Sequence, residues 1–373
     1  MSNDDGADAT EPSVLVITQR GMRPQVSRCV GYEFEDVIVD HSRAEWATLS
    51  RTKLGRPPEV LLNRLNKRSR AAARLPVPLT PVHPAGEYDV AVAVMQLPSD
   101  VVTLDSVRGW RSRSTRAVCF IEEMWAVELD AWRGHQTLLD QFDHVFVGAW
   151  DTVEPLAARL STPVSYLPYG VDALRFAPHT LDTERWIDVC NIGRRSSVTH
   201  DALCAWATTN DRFYYHDTFT PGPFKSVVEH RELLGRLLRA TNVAITNRGI
   251  GARPGETGGQ VELAFRYFEA SAAGALMVGE HPPIPPVHDL FDWPDAVIDA
   301  PFDDPEMGAF VDSLAAEPDR VASARLANVV NGLRRHDHIH RWRTMLDAVG
   351  VPSGGRVADR VDRLDARAVH VGG

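Results

Sequence analysis

Val90-Ala-Val-Ala-Val-Met95 is an apolar run with no polar residue in it, and its reading decides the fold. A strand with one face in water alternates apolar and polar residues, whereas a strand covered on both faces does not. Val14-Leu-Val-Ile-Thr18 and Val243-Ala-Ile-Thr246 have the same continuous character. All three are strand-sized and far short of the 18 or so apolar residues a membrane span needs. Working outward, further candidate strands are Val37–Asp40, Ala117–Ile121, His144–Val147 and Val164–Leu167. A second series follows: Ile187–Ile192, Arg212–Tyr215, Ala275–Val278 and Ala296–Ile298. Longer stretches of helical character separate them. Such alternation predicts βαβ units and doubly wound parallel sheets, an α/β chain.

At 373 residues the chain is long enough for two domains. Its composition, 44% hydrophobic and 24% charged, is that of a globular protein rather than a disordered or fibrous one. Forty basic residues against fifty acidic give a net charge of −10, which opposes general binding to nucleic acid or anionic lipid. The start, MSNDDGADATEPS, is acidic and lacks an apolar core, so no signal peptide is expected. Cys29, Cys119, Cys190 and Cys204 include no CxxC pair, and the last three lie in apolar surroundings. They read as free thiols of a protein in a reducing cytoplasm. The histidines include no HExxH pair, and the densest cluster, His336-Asp-His-Ile-His340, reads as part of a late surface helix without a ligand, so no metal is expected.

The alternation breaks at residues 168–185, which are rich in Pro, Gly and polar residues without a period. The expected organisation is a loose end over 1–12, a first Rossmann-like domain over 13–167 and a linker over 168–185. A second Rossmann-like domain over 186–350 and a loose tail over 351–373 complete it. Two such domains facing a cleft would bind ligand beyond the carboxyl ends of their strands.

Three stretches carry a family resemblance. Pro168-Tyr-Gly-Val-Asp172, followed by Phe176 and Pro178, resembles the interdomain segment of GT-B glycosyltransferases. Asp188-Val-Cys-Asn-Ile-Gly-Arg-Arg195 resembles the strand that opens their nucleotide-binding domain, which commonly ends in Gly-Arg. Arg266-Tyr-Phe-Glu-Ala-Ser-Ala-Ala-Gly274 resembles the Glu-Ala-x-Ala-x-Gly stretch, in the Arg-x-x-Glu form of CgeB-like members. The chain therefore resembles the family-4 and CgeB-like groups over roughly residues 164–280. The resemblance implies two Rossmann-like domains and metal-independent, retaining transfer of a hexosyl-type sugar from a nucleotide-diphosphate sugar, without a cofactor. It also implies that Glu269 accepts hydrogen bonds from the donor ribose. The usual partner seven positions earlier would be residue 261, which is Val261; the available acid is Glu262. The family's usual Lys, a few residues after Gly-Arg, is missing here, with Arg195 the candidate to substitute for it, and Tyr169 replaces the usual Asn.

Transfer from a nucleotide diphosphate needs cations and backbone N–H groups around the leaving diphosphate. Arg194 and Arg195 after a strand, and Arg248 and Arg253 in Asn247-Arg-Gly-Ile-Gly-Ala-Arg-Pro-Gly-Glu-Thr-Gly-Gly-Gln260, supply that chemistry. The glycines of this loop, Gly258 and Gly259 among them, would let the backbone approach a phosphate. Glu262 and Arg194 are the catalytic candidates; Glu269, Arg195, Arg253, Arg266, Gly258 and Gly259 are the donor-binding ones. On the acceptor side stand Gly21, after the first strand, and Glu122, after the strand ending at Ile121. The competing structural readings are a solvated arginine loop, a tight turn at Gly21, dipole-favoured acids at Glu122, and an ion-pair stripe of Glu262, Arg266, Glu269 and Ala273. Gly274 reads as a helix stop. Segment 42–86 carries nine basic residues against Glu45 and Glu59, with a basic amphipathic pattern over 61–75 that would suit an anionic acceptor or a membrane surface. Two other functions remain open: a nucleotide-sugar 2-epimerase, and a non-catalytic sugar- or nucleotide-binding protein of a spore or cell envelope.

Overall fold

A computed structural model describes residues 11–53, 78–218, 223–248 and 254–373. The chain forms two compact units. The first runs to Pro168 and takes in Ile339–Arg360; the second begins at Tyr169 and holds Val228–His338 and Val361–Gly373.

The first unit is built on a six-stranded parallel sheet. Its strands are β1 (Ser13–Thr18), β2 (Arg43–Thr48), β3 (Tyr88–Met95), β4 (Ser114–Ile121), β5 (His144–Val147) and β6 (Val164–Tyr166). They lie in the order β2-β1-β3-β4-β5-β6, with Val16 opposite Val92 and Val92 opposite Val118. Val14, Leu15 and Val16 are all fully buried, as are Val90, Ala91 and Val92, because both faces of the sheet are covered. Leu15, Ala91, Cys119 and Val145 share one core with Leu104 and Leu138.

The second unit holds a five-stranded parallel sheet of β7 (Ile187–Asn191), β8 (Tyr214–His216), β9 (Thr241–Ile245), β10 (Leu276–Gly279) and β11 (Ile298–Asp299). Its order is β11-β10-β9-β7-β8, with Val189 opposite Val243 and Tyr214. In such sheets ligands gather outside the carboxyl ends of the strands where the strand order reverses. That point lies between β1 and β3 in the first sheet and between β7 and β9 in the second.

The expected strands form within three residues of their bounds, except one. Val37–Asp40 is not a strand but the last turn of the helix Cys29–Asp40. Val30, Phe34, Val37 and Ile38 recur at helical spacing and are all buried, with Phe34 edge-on to Phe120 at 6.3 Å. Strand β2 was not expected, since at the sheet edge only Ala47 is buried and RAEWAT shows no apolar run. The stretch 168–185, expected as a linker, is packed at its start. Asp172 caps the short helix Ala173–Phe176, Val171 and Phe176 are fully buried, and Asp337 accepts from the Ala173 N–H at 2.9 Å. His336, Asp337 and His338 are accordingly buried rather than on a surface helix. The tail expected to be loose is, over Gly355–Gly372, an 18-residue helix that buries Val357, Leu364 and Ala368. The basic pattern over 61–75 lies outside the described residues.

Candidate functional site

In the second unit, two loops leave the sheet at the β7/β9 reversal. Gly193, at φ +92, turns the chain out of β7, a left-handed geometry that favours glycine. Arg194 is exposed. Arg195 is held by Asp217, just past β8: its Nη1 lies 2.6 Å from the carboxylate, and its Nη2 donates to the Asp217 carbonyl at 2.7 Å. The same carboxylate accepts from the Gly193 N–H at 3.1 Å. Ser196 then caps the helix Ser197–Thr209, accepting from the Thr199 N–H at 3.1 Å. Loop, carboxylate and helix N-terminus therefore form one braced structure.

The loop after β9 contains Arg248, whose Nε lies 3.2 Å from Glu280. Gly249, Gly251 and Arg253 lie outside the described residues. Gly258 and Gly259 take φ values of +65 and +87 beyond the short helix Pro254–Thr257. Glu262 is buried, and it precedes the helix Phe265–Ala273 rather than joining it. The ion-pair stripe from Glu262 through Ala273 is thus broken, because Ala264 is extended.

Glu269 sits inside that helix with a side chain 3% exposed. Its two oxygens meet two guanidinium groups: Oε1 pairs with Arg231, and Oε2 with Arg266 at 2.8 Å. Arg231, on the helix Val227–Arg239, is itself 1% exposed and lies over the Phe176 ring at 4.7 Å. Two guanidiniums thus meet one carboxylate in a poorly solvated place, where electrostatic effects are large. Sequence reading missed Arg231, whose partner lies 38 residues away. Gly274 ends the helix in the left-handed conformation, as expected. At Gly279 a side chain is impossible, since a Cβ would stand 1.8 Å from the Thr246 carbonyl oxygen.

In the first unit the β1/β3 reversal holds a buried charged cluster. Gly21 lies in a turn in which the Met22 and Arg23 N–H groups donate to the Gln19 carbonyl at 2.9 Å, and it packs closely on the next segment: a Cβ would lie 2.6 Å from the Leu49 carbonyl oxygen. Glu122, past β4, is buried, and a Cβ at Gly31 would be 2.9 Å from its Oε1. Burial, helped by the adjacent Glu123 and opposed by Arg28, pushes the Glu122 carboxyl well above its ordinary range. Two acidic neighbours escaped the sequence reading. Asp100 accepts from Arg28 at 2.7 and 3.2 Å and from the Leu97 N–H at 3.1 Å. Glu35 accepts from the Thr18 hydroxyl at 2.7 Å and from Arg20 at 3.0 Å. Burial outweighs the Arg20 charge, so the Glu35 carboxyl is pushed up to about 7.

The fold that carries these residues has known counterparts. HepE of Anabaena, in complex with UDP-glucose, superposes with a TM-score of 0.50 at 10% identity over 91% of this chain and 99% of that one. An alpha-glucosyltransferase in complex with UDP and a 13-mer DNA containing a HMU base gives 0.54 at 10% identity over 91% and 100%. An alpha,alpha-trehalose-phosphate synthase (UDP-forming) from Burkholderia vietnamiensis gives 0.52 at 10% identity over 91% and 100%. The chain thus has the fold of two Rossmann-like domains found in these GT-B glycosyltransferases. Because one protein of this fold is seen with DNA, the fold itself does not exclude nucleic acid. No protein-family model matches the chain, and no curated protein matches its sequence. Among the described residues no helix is long and apolar enough to cross a membrane.

Proposed function

We propose that the protein is a glycosyltransferase that binds a nucleotide-diphosphate sugar on its second unit and passes the sugar to an acceptor. The observation that carries this is a coincidence of topology and chemistry. The β7/β9 reversal, where this class of sheet binds ligands, is where Gly193, Arg194, Arg195 and the N-terminus of the helix Ser197–Thr209 converge. Arg194 and Arg195, with Arg253, would meet the diphosphate; loop N–H groups near Gly258 and Gly259 would complete its cradle without a metal. Glu269 would accept from the ribose hydroxyls, and Arg231 and Arg266 hold its carboxylate for that task. Glu262 is the proposed contact to the donor sugar. On the first unit, Gly21 and Glu122 would face the acceptor; with its proton retained, Glu122 can donate a hydrogen bond. Retention of configuration follows from the resemblance of Arg266–Gly274 to the family's motif. UDP-glucose is the first donor to try, since it is seen in HepE.

Donor turnover without acceptor tests this reading. Slow release of nucleoside diphosphate from one sugar nucleotide is the expected result. Release of a 2-epimer would support the epimerase instead, and binding without turnover the non-catalytic protein.

A further inference from the structure

A second group of reactive side chains lies beside the loop that follows β7. We propose that His200, Cys204 and His216 form a binding site for a divalent transition-metal ion, with zinc the first candidate. The proposal stands apart from the glycosyltransferase reading. It is the one His, Cys and carboxylate group of this kind among the described residues whose ligand atoms all lie within 4.8 Å of one another.

His200 and Cys204 are four apart on the helix Ser197–Thr209, so they project from the same face. His216 comes from the end of β8. The Cys204 Sγ is 3.8 Å from the His200 Nε2, and the His200 and His216 rings are 4.7 Å apart. A tetrahedral ion with bonds of about 2.0–2.3 Å places its ligand atoms roughly 3.3–3.8 Å from one another. The three side chains therefore need only small rotations to close on an ion.

Two further features fit. The His200 Nδ1 lies 2.9 Å from the Tyr214 hydroxyl. If Nδ1–H donates there, the Nε2 lone pair is left toward the thiol, the outer partner that metal-bound histidines usually have. The Nδ1 of His216 is buried without a hydrogen-bond partner. Burying a ring nitrogen this way is costly unless something occupies it. Mixed imidazole and thiolate donors suit zinc rather than a hard cation. All three residues are part-exposed, so an ion can reach them and a fourth position stays open to water. Binding would displace the Cys204 thiol proton to solvent, and nothing is oxidised or reduced.

The consequence is local. His216 precedes Asp217, which holds Arg195 and the Gly193 N–H, while the helix bearing His200 and Cys204 begins at Ser196. An ion would tie both ends of the Gly193–Ser196 loop together.

The test is a Co(II) titration of the chelator-treated full chain, followed by competition with Zn(II) and thermal melts. The expected result is a single cobalt per chain with a thiolate-to-cobalt absorption band, displaced by zinc, and a melting temperature raised by zinc. Cys204→Ser should abolish the band. His216→Gln should weaken binding by at least about 10–100-fold, the loss that even an outer-shell change causes. Both variants should melt with the wild type in chelator. Cobalt bound without a thiolate band, or a band unchanged in affinity in His216→Gln, would overturn the proposal. If Cys204→Ser does not fold, the wild-type band and the His216→Gln titration still decide it.

Discussion

Glu269 has a structural task besides the donor contact proposed for it. Its carboxylate neutralises one of two guanidiniums inside the second unit. Removing it takes a buried counter-charge from both Arg231 and Arg266, so Glu269→Ala should lose about 3–5 kcal/mol of stability by denaturant unfolding, while Glu269→Gln loses less. A loss no larger than a surface substitution gives would show that the ion pairs do not matter. Glu35 makes a prediction about pH. Its pKa stands near 7 when folded and near 4.5 in the unfolded chain. Between those values the folded state keeps a proton that the unfolded chain has given up. Its contribution is therefore complete below about pH 4.5, declines as pH rises to about 7 and is flat above. Glu35→Gln removes this dependence, so wild-type stability relative to the variant should fall by about 3 kcal/mol across that window. An offset that does not change with pH would contradict the assignment. Glu269 and Arg266 were legible because a family motif surrounds them. Arg231 was not, because VVEHRELLGRLLR reads as an ordinary amphipathic helix and nothing local marks its arginine as buried.

Among the elements, strands covered on both faces were legible wherever they lay inside a sheet, since continuous burial demands continuous apolarity. The edge strand β2 was not, because exposure removes that signal. Val37–Asp40 misled for the opposite reason: β-branched residues look like a strand when the helical spacing back to Val30 is overlooked. The tail was misread through its Arg and Asp content. Its apolar residues, Val357, Leu364, Ala368 and Val371, keep a helical period and are buried. Leu364, 1% exposed, should therefore behave as a core residue. Leu364→Ala is expected to cost about 2–5 kcal/mol in denaturant unfolding. Wild-type stability in that variant would mean the helix Gly355–Gly372 contributes no core. The histidine and cysteine cluster was illegible for a related reason. A search for histidine pairs along one helix cannot find a set whose third member arrives on the next strand.

At the scale of the whole molecule, two parallel sheets were foreseeable from alternation alone, and the order of their strands was not. That order matters most for function, since it fixes where each sheet reverses and so which loops can meet a ligand. The chain's path was also hidden. Ile339–Arg360 belongs to the first unit although it lies beyond the whole second sheet in sequence. The central claim is that the loops at the β7/β9 reversal hold a nucleotide-diphosphate sugar. It is tested most directly by thermal unfolding of the wild type, Glu269→Gln and Arg195→Ala against UDP, GDP, ADP and dTDP and their sugar conjugates. One nucleotide should stabilise the wild type, by about 2.7 kcal/mol at a hundredfold excess over its Kd, and much less in both variants. No shift with any nucleotide, or a shift that both variants keep in full, would contradict the account.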